Sequence, residues 1–111
     1  NNAQTEPVAP MPKKVDPAQV LGQVSARAND YKVGVFGGLS RIEITVRNAS
    51  AVALDDVAVD VSYISASDNV IQTKTVHSGP MSGSSTQVIP VPSSNRGARI
   101  EWRISQVKPK E

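Results

Sequence analysis

The sequence holds no cysteine. A disulfide framework and thiolate metal sites are therefore excluded. Histidine occurs once, at His77. Aromatic residues make up 4% of the chain, and Trp102, Tyr63, Tyr31 and Phe36 are the whole supply. The core must therefore be aliphatic, built from Val, Ile, Leu and Ala around a few larger anchors. Neither sign of charge dominates: 12 basic and 10 acidic residues leave a net charge of +2. A nucleic-acid binder concentrates Lys and Arg on one face, and nothing in this balance demands a polyanion. No apolar run approaches the roughly 20 residues needed to span a bilayer. No signal-peptide pattern is present. The chain opens on Asn1 rather than Met, so any anchor or targeting segment is expected upstream.

What is present is the grammar of a single β domain. The 111 residues fit one domain. Residues 1–18 carry four of the eight prolines and read as a flexible linker or tether. Residues 19–108 read as the folded domain, and 109–111 as a polar tail. Within the domain a first strand is expected from Gln23 to Ala28. A second runs from Tyr31 to Phe36, with Tyr31, Val33 and Val35 on one side. Leu39 to Arg47 alternates most cleanly. Ile42, Ile44 and Val46 face one way; Arg41, Glu43, Thr45 and Arg47 face the other. Val57, Val59, Val61 and Tyr63 repeat the period. Val70 to Val76 is half polar on both faces and reads as an edge strand. Ser84 to Val91 is ended by Pro90 and Pro92, and those prolines suit an edge strand or the last residues of a strand. In the last strand Ala98, Ile100, Trp102 and Ile104 point inward, while Arg99, Glu101 and Arg103 point outward. Polar residues follow from Lys108. About seven short strands at regular spacing predict an all-β, antiparallel sandwich.

Chemistry is scarce. His77 stands at a strand end before Ser78-Gly-Pro80 and reads as an exposed loop histidine. An enzyme would need it joined to Ser78 and to Asp55 or Asp56. Asp55-Asp56 reads as a loop pair, because adjacent strand residues point to opposite faces; a weak Ca²⁺ site is the alternative. The glycines at 34, 37 and 38 lack the Gly-Lys-Ser/Thr of a phosphate loop. They predict a turn with Phe36 packed on the core rim, or a loop that presents Phe36 to a partner. Arg41, Glu43 and Arg47 would form a mixed-charge face with Arg99, Glu101 and Arg103 if the two strands share a sheet. Such a face suits solvent or a protein partner rather than nucleic acid, since no aromatics interleave for base stacking. Trp102, in phase with Ile100 and Ile104, reads as a core anchor.

Several of these segments form a family pattern. Asn48-Ala-Ser50, Leu54-Asp-Asp-Val57, the Val/Tyr strand, Ser67-Asp-Asn-Val70 and Met81-Ser-Gly-Ser-Ser85 resemble FxLYD-type domains. They also look like the related immunoglobulin-like sandwich of late-embryogenesis-abundant (water-stress, WHy) domains. The family's Phe-x-Leu-Tyr-Asp falls on Val61-Ser62-Tyr63-Ile64-Ser65. Asn29-Asp-Tyr-Lys-Val-Gly34 followed by Phe36-Gly-Gly38, together with Pro92, Ser94, Arg96 and Gly97, is similar to C-terminal domains of bacterial envelope proteins. The resemblance implies an immunoglobulin-like fold and transfers no catalytic residue.

The combined expectation is a non-catalytic, extracytoplasmic module of a bacterial envelope protein. It would act through protein contacts or as a structural spacer, without a cofactor or metal. The expected partner is another protein or the rest of its own parent chain, with no nucleic acid. A membrane would be reached only through an upstream segment. The partner-facing residues are expected to be Phe36, Gly37, Gly38, Arg41, Arg47, Arg99 and Arg103. The second reading is a carbohydrate-binding module with a platform drawn from Phe36, Tyr31 or Tyr63.

Overall fold

A computed structural model describes residues 20–110. The linker expected over 1–18 and the last residue of the expected tail lie outside them. The described elements are strands, eight rather than about seven. They are β1 (Val24–Ala28), β2 (Lys32–Val33), β3 (Leu39–Ser40), β4 (Ile42–Asn48), β5 (Leu54–Ile64), β6 (Val70–His77), β7 (Ser85–Val91) and β8 (Arg99–Pro109).

The strands form two three-stranded antiparallel sheets and one small hairpin. The first sheet has the order β1-β4-β7, the second β6-β5-β8, and β2 pairs with β3 alone. The central strand of each sheet is the one with the cleanest apolar alternation. β4 turns Ile42, Ile44 and Val46 into the core, and β5 turns in Val57, Val59, Val61 and Tyr63. Ile89 and Val91 from β7 and Ile100 and Val107 from β8 join the same cluster. One aliphatic core thus lies between the two sheets. Each such side chain fully buried stabilises the fold by roughly 1.5–3 kcal/mol. β6 and β7 are edge strands, as their polar and proline-bearing sequences require.

Four boundaries depart from the sequence reading. The strand expected from Tyr31 to Phe36 shrinks to Lys32–Val33, because the chain reverses at Gly34 and pairs back onto β3. The strand expected from Leu39 to Arg47 is two strands, broken at Arg41, whose φ of 57° interrupts the pleat. Asp55 and Asp56 belong to β5 and not to a loop. β8 continues past Ile104 to Pro109, taking in the first residue of the expected tail. A register shift between Ala58 and Val59 lets it follow β5 that far.

Two polar groups inside the fold explain motif residues. Asn48 is fully buried at the end of β4. Its Nδ2 donates to the Val52 carbonyl at 2.8 Å and the Ser82 carbonyl at 3.0 Å. Its Oδ1 accepts from the Ser50 N–H at 3.1 Å and the Ser50 hydroxyl at 2.6 Å. The amide therefore ties the β4–β5 loop to the segment before β7, with donors and acceptor all satisfied. Tyr63 is fully buried, and its hydroxyl donates to the Pro92 carbonyl. Burial pushes the pKa of that hydroxyl up.

Candidate functional site

The β2–β3 hairpin forms the most exposed apolar feature. Phe36 at its tip is fully exposed and Val35 is 94% exposed, with Val33 half exposed below them. Phe36 does not pack on the core rim, as the favoured sequence reading had it. The hairpin is nevertheless held firmly. The Gly34 N–H donates to the Gly38 carbonyl at 2.9 Å, and the Gly37 N–H to the Gly34 carbonyl at 3.0 Å. The Gly38 N–H donates to the Gly97 carbonyl at 3.0 Å. Leu39 and Ser94 exchange two backbone bonds, so the hairpin base is pinned to the β7–β8 loop.

Glycine is obligatory at two of these positions. A Cβ on Gly34 would stand 2.5 Å from the Gly37 carbonyl oxygen. Gly38 has a φ of 94°, and its Cβ would press on the Ser94 carbonyl at 3.1 Å. A groove of about 450 Å³ runs between the hairpin and the β5–β6 turn. Val33, Phe36, Ala66, Ile71 and Arg96 line it. Val35 and this groove were missed in the sequence, because alternation set Val35 on one side of a strand with Tyr31 and Val33, and that strand stops at Val33.

The other expected partner-facing residues do not join the hairpin in one patch. Arg41 follows β3, where its carbonyl accepts from Asn29 Nδ2 at 2.7 Å. Arg47 lies on β4 and donates to the Thr86 hydroxyl on β7 at 3.2 Å. Arg99 and Arg103 lie on β8 in the other sheet. The mixed-charge face expected from β4 and β8 therefore does not form, since those strands are not neighbours. Arg99 instead bonds Glu101 at 2.7 Å and Asp68 at 2.9 Å. Those two carboxylates raise its pKa further. Arg103 approaches Asp60 at 3.7 Å.

The expected aromatic platform also separates. Tyr63 is buried, and the half-buried Tyr31 accepts the Ile100 N–H on its hydroxyl at 3.1 Å. Trp102 does face the inner side, opposite Val61, but β8 is an edge strand and leaves it 37% exposed. Its indole N–H donates to the Ala26 carbonyl of β1 at 3.0 Å, closing the seam between the two sheets.

His77 ends β6 and is not a free loop histidine. Its Nδ1 lies 2.7 Å from Asp56 Oδ2. The other oxygen of Asp56 accepts the Gly79 N–H at 2.9 Å. Burial pushes the Asp56 pKa up, but the bonds from His77 and Gly79 outweigh it and hold the carboxyl below its ordinary value. Ser78 does not complete a triad. Its hydroxyl accepts the Val57 N–H at 2.9 Å and donates to the Gly79 carbonyl at 2.8 Å, and no bond joins it to His77. Asp55, next to Asp56, is the extra residue at a register shift between Leu54 and Asp56 and is exposed. Among the described residues no group of three or more His, Asp or Glu is placed to hold a metal ion.

Compared with family models, with curated proteins and with solved structures, the chain matches none.

Proposed function

We propose that this chain is a non-catalytic, extracytoplasmic module of a bacterial envelope protein, and that it docks a protein partner through the β2–β3 hairpin. The observation that carries the reading is the Val35-Phe36 tip. Two consecutive large apolar side chains stand in solvent on a hairpin fixed by five backbone bonds. Ordering cost is already met in such a tip, which favours its use as a contact. An aromatic residue beside a groove with an arginine at its rim suits a protein partner. A sugar platform is less well supported, because Tyr63 is buried and Tyr31 is engaged with β8.

The sandwich itself is read as immunoglobulin-like and akin to FxLYD and WHy domains. The support is strand order. In that fold strands A, B and E share one sheet, and strand C pairs with F and, in variable-type domains, with C′. β1-β4-β7 and β6-β5-β8 follow those two orders.

The test compares native envelope extracts carrying the wild-type chain, Phe36→Ser and Val88→Ser. Val88 is a half-exposed valine on β7 and serves as control. A specific co-purifying protein should be lost from Phe36→Ser and kept by Val88→Ser. Equal recovery from all three would refute the docking role.

A further inference from the structure

Among the described residues, three of the four sheet edges carry a feature that discourages strand addition. On β6, Lys74 lies opposite the buried Val61, so a lysine is turned toward the inner face of an edge strand. On β7, Pro90 lies opposite Glu43. The N–H and carbonyl of Glu43 both bond to Asn29, away from β7. Pro90 therefore turns its donor-less nitrogen to the outer edge. β1 is five residues long, and its Ala26 carbonyl is taken by Trp102. β8 differs: ahead of the register shift at Ser105 its six residues from Arg99 to Ile104 pair regularly with β5, and its one proline is the last residue of the strand.

The direction of the β8 edge follows from one bond. The Ile100 N–H donates to the Tyr31 hydroxyl, so it points away from β5. Antiparallel alternation turns the N–H and carbonyl of Trp102 and Ile104 the same way. The side chains of Ile100, Trp102 and Ile104 lie on the inner face, opposite Tyr63, Val61 and Val59. Glu101 and Arg103 lie on the outer face, opposite Ser62 and Asp60.

We propose that β8 pairs with β8 of a second copy of this chain, antiparallel, about a twofold axis at Trp102. In this register Trp102 meets Trp102, and each Ile100 meets an Ile104. Each Glu101 meets an Arg103 on the outer face. The residues with outward backbone groups oppose one another, as a ladder requires. The adjacent registers are disfavoured. One sets Arg103 against Arg103, and the other sets Glu101 against Glu101 and Arg99 against Arg103. The pairing joins two three-stranded sheets into one of six strands and covers the exposed part of both indoles. The Tyr31 hydroxyl occupies the place of the incoming Ile104 carbonyl and gives way to it, so Tyr31 limits the affinity. This self-association is independent of the hairpin docking.

The test is sedimentation velocity of the full chain from low-micromolar to millimolar concentration, with the fold of each variant checked by circular dichroism. Glu101 and Arg103 are exposed, so charge variants there keep the fold. The wild-type mass should rise with concentration toward that of a dimer. Glu101→Arg should weaken association by roughly tenfold or more. The swap Glu101→Arg with Arg103→Glu should restore it, because the pairs remain opposite in sign. Tyr31→Phe should strengthen it. A chain monomeric at all concentrations, or one whose association ignores Glu101→Arg, would overturn the proposal.

Discussion

The Trp102 indole N–H reaches across from β8 to the Ala26 carbonyl on β1, at 3.0 Å. Those strands belong to different sheets, so this bond links the sheets along the seam between β1 and β8. Trp102→Phe keeps most of the apolar contact and removes the donor. It should cost about 0.5–1.5 kcal/mol in urea unfolding, measured at low protein concentration. A variant as stable as wild type would show that the seam is held by packing alone.

Asn48 is a larger liability. Its side chain satisfies four groups at once, two carbonyls on one side and Ser50 on the other. Asn48→Ala leaves buried polar groups without partners and should cost about 2–4 kcal/mol. Ser50→Ala, which removes only the hydroxyl, should cost less. The order of the two urea midpoints checks the assignment of Asn48 as the hub.

Acid should weaken the β5–β6 end of the sandwich. The folded pKa of Asp56 lies below the ordinary 3.8 because of its bonds to His77 and Gly79. A depressed pKa contributes stability that is present above the unfolded value and lost as pH falls through the folded one. Asp56→Asn should therefore be less stable than wild type at neutral pH, and the gap should close below about pH 4. A gap independent of pH would mean that the carboxylate's charge does not matter there.

Arg41 holds a left-handed conformation that an arginine adopts at a cost. Arg41→Gly should raise stability by about 0.5–1 kcal/mol in thermal or urea unfolding. Lower stability would show that the arginine side chain contributes a contact that outweighs the strain.

Much of the sandwich was legible in the sequence, and particular residues show where legibility ended. Ile42, Ile44 and Val46, and Val57 through Tyr63, alternate because each strand has one buried face. That pattern also gave the inward face of Ile100 and Trp102. Alternation gives a face but not a neighbour, which is why a mixed-charge face between β4 and β8 hung on their sharing a sheet, and they do not. It also cannot say whether a core lies opposite. Val33 and Val35 keep the period, yet Gly34 turns the chain and leaves Val35 and Phe36 in solvent. Arg41 sits in an unbroken alternation and gave no sign of its positive φ. The Asp56–His77 pair depends on the β5–β6 register, which sets Ala58 opposite His77, and could be found only once Asp56 was placed on the strand.

The docking role of the hairpin is tested most directly by photo-crosslinking from single positions in the native host. A photoreactive phenylalanine analogue would replace Phe36 in one strain and Val88 in another. Phe36 makes no core contact, so the substitution there should leave stability within about 0.5 kcal/mol of wild type. The account predicts a discrete protein adduct from position 36 and none from position 88. The same adduct from both positions, or none from position 36, would contradict it.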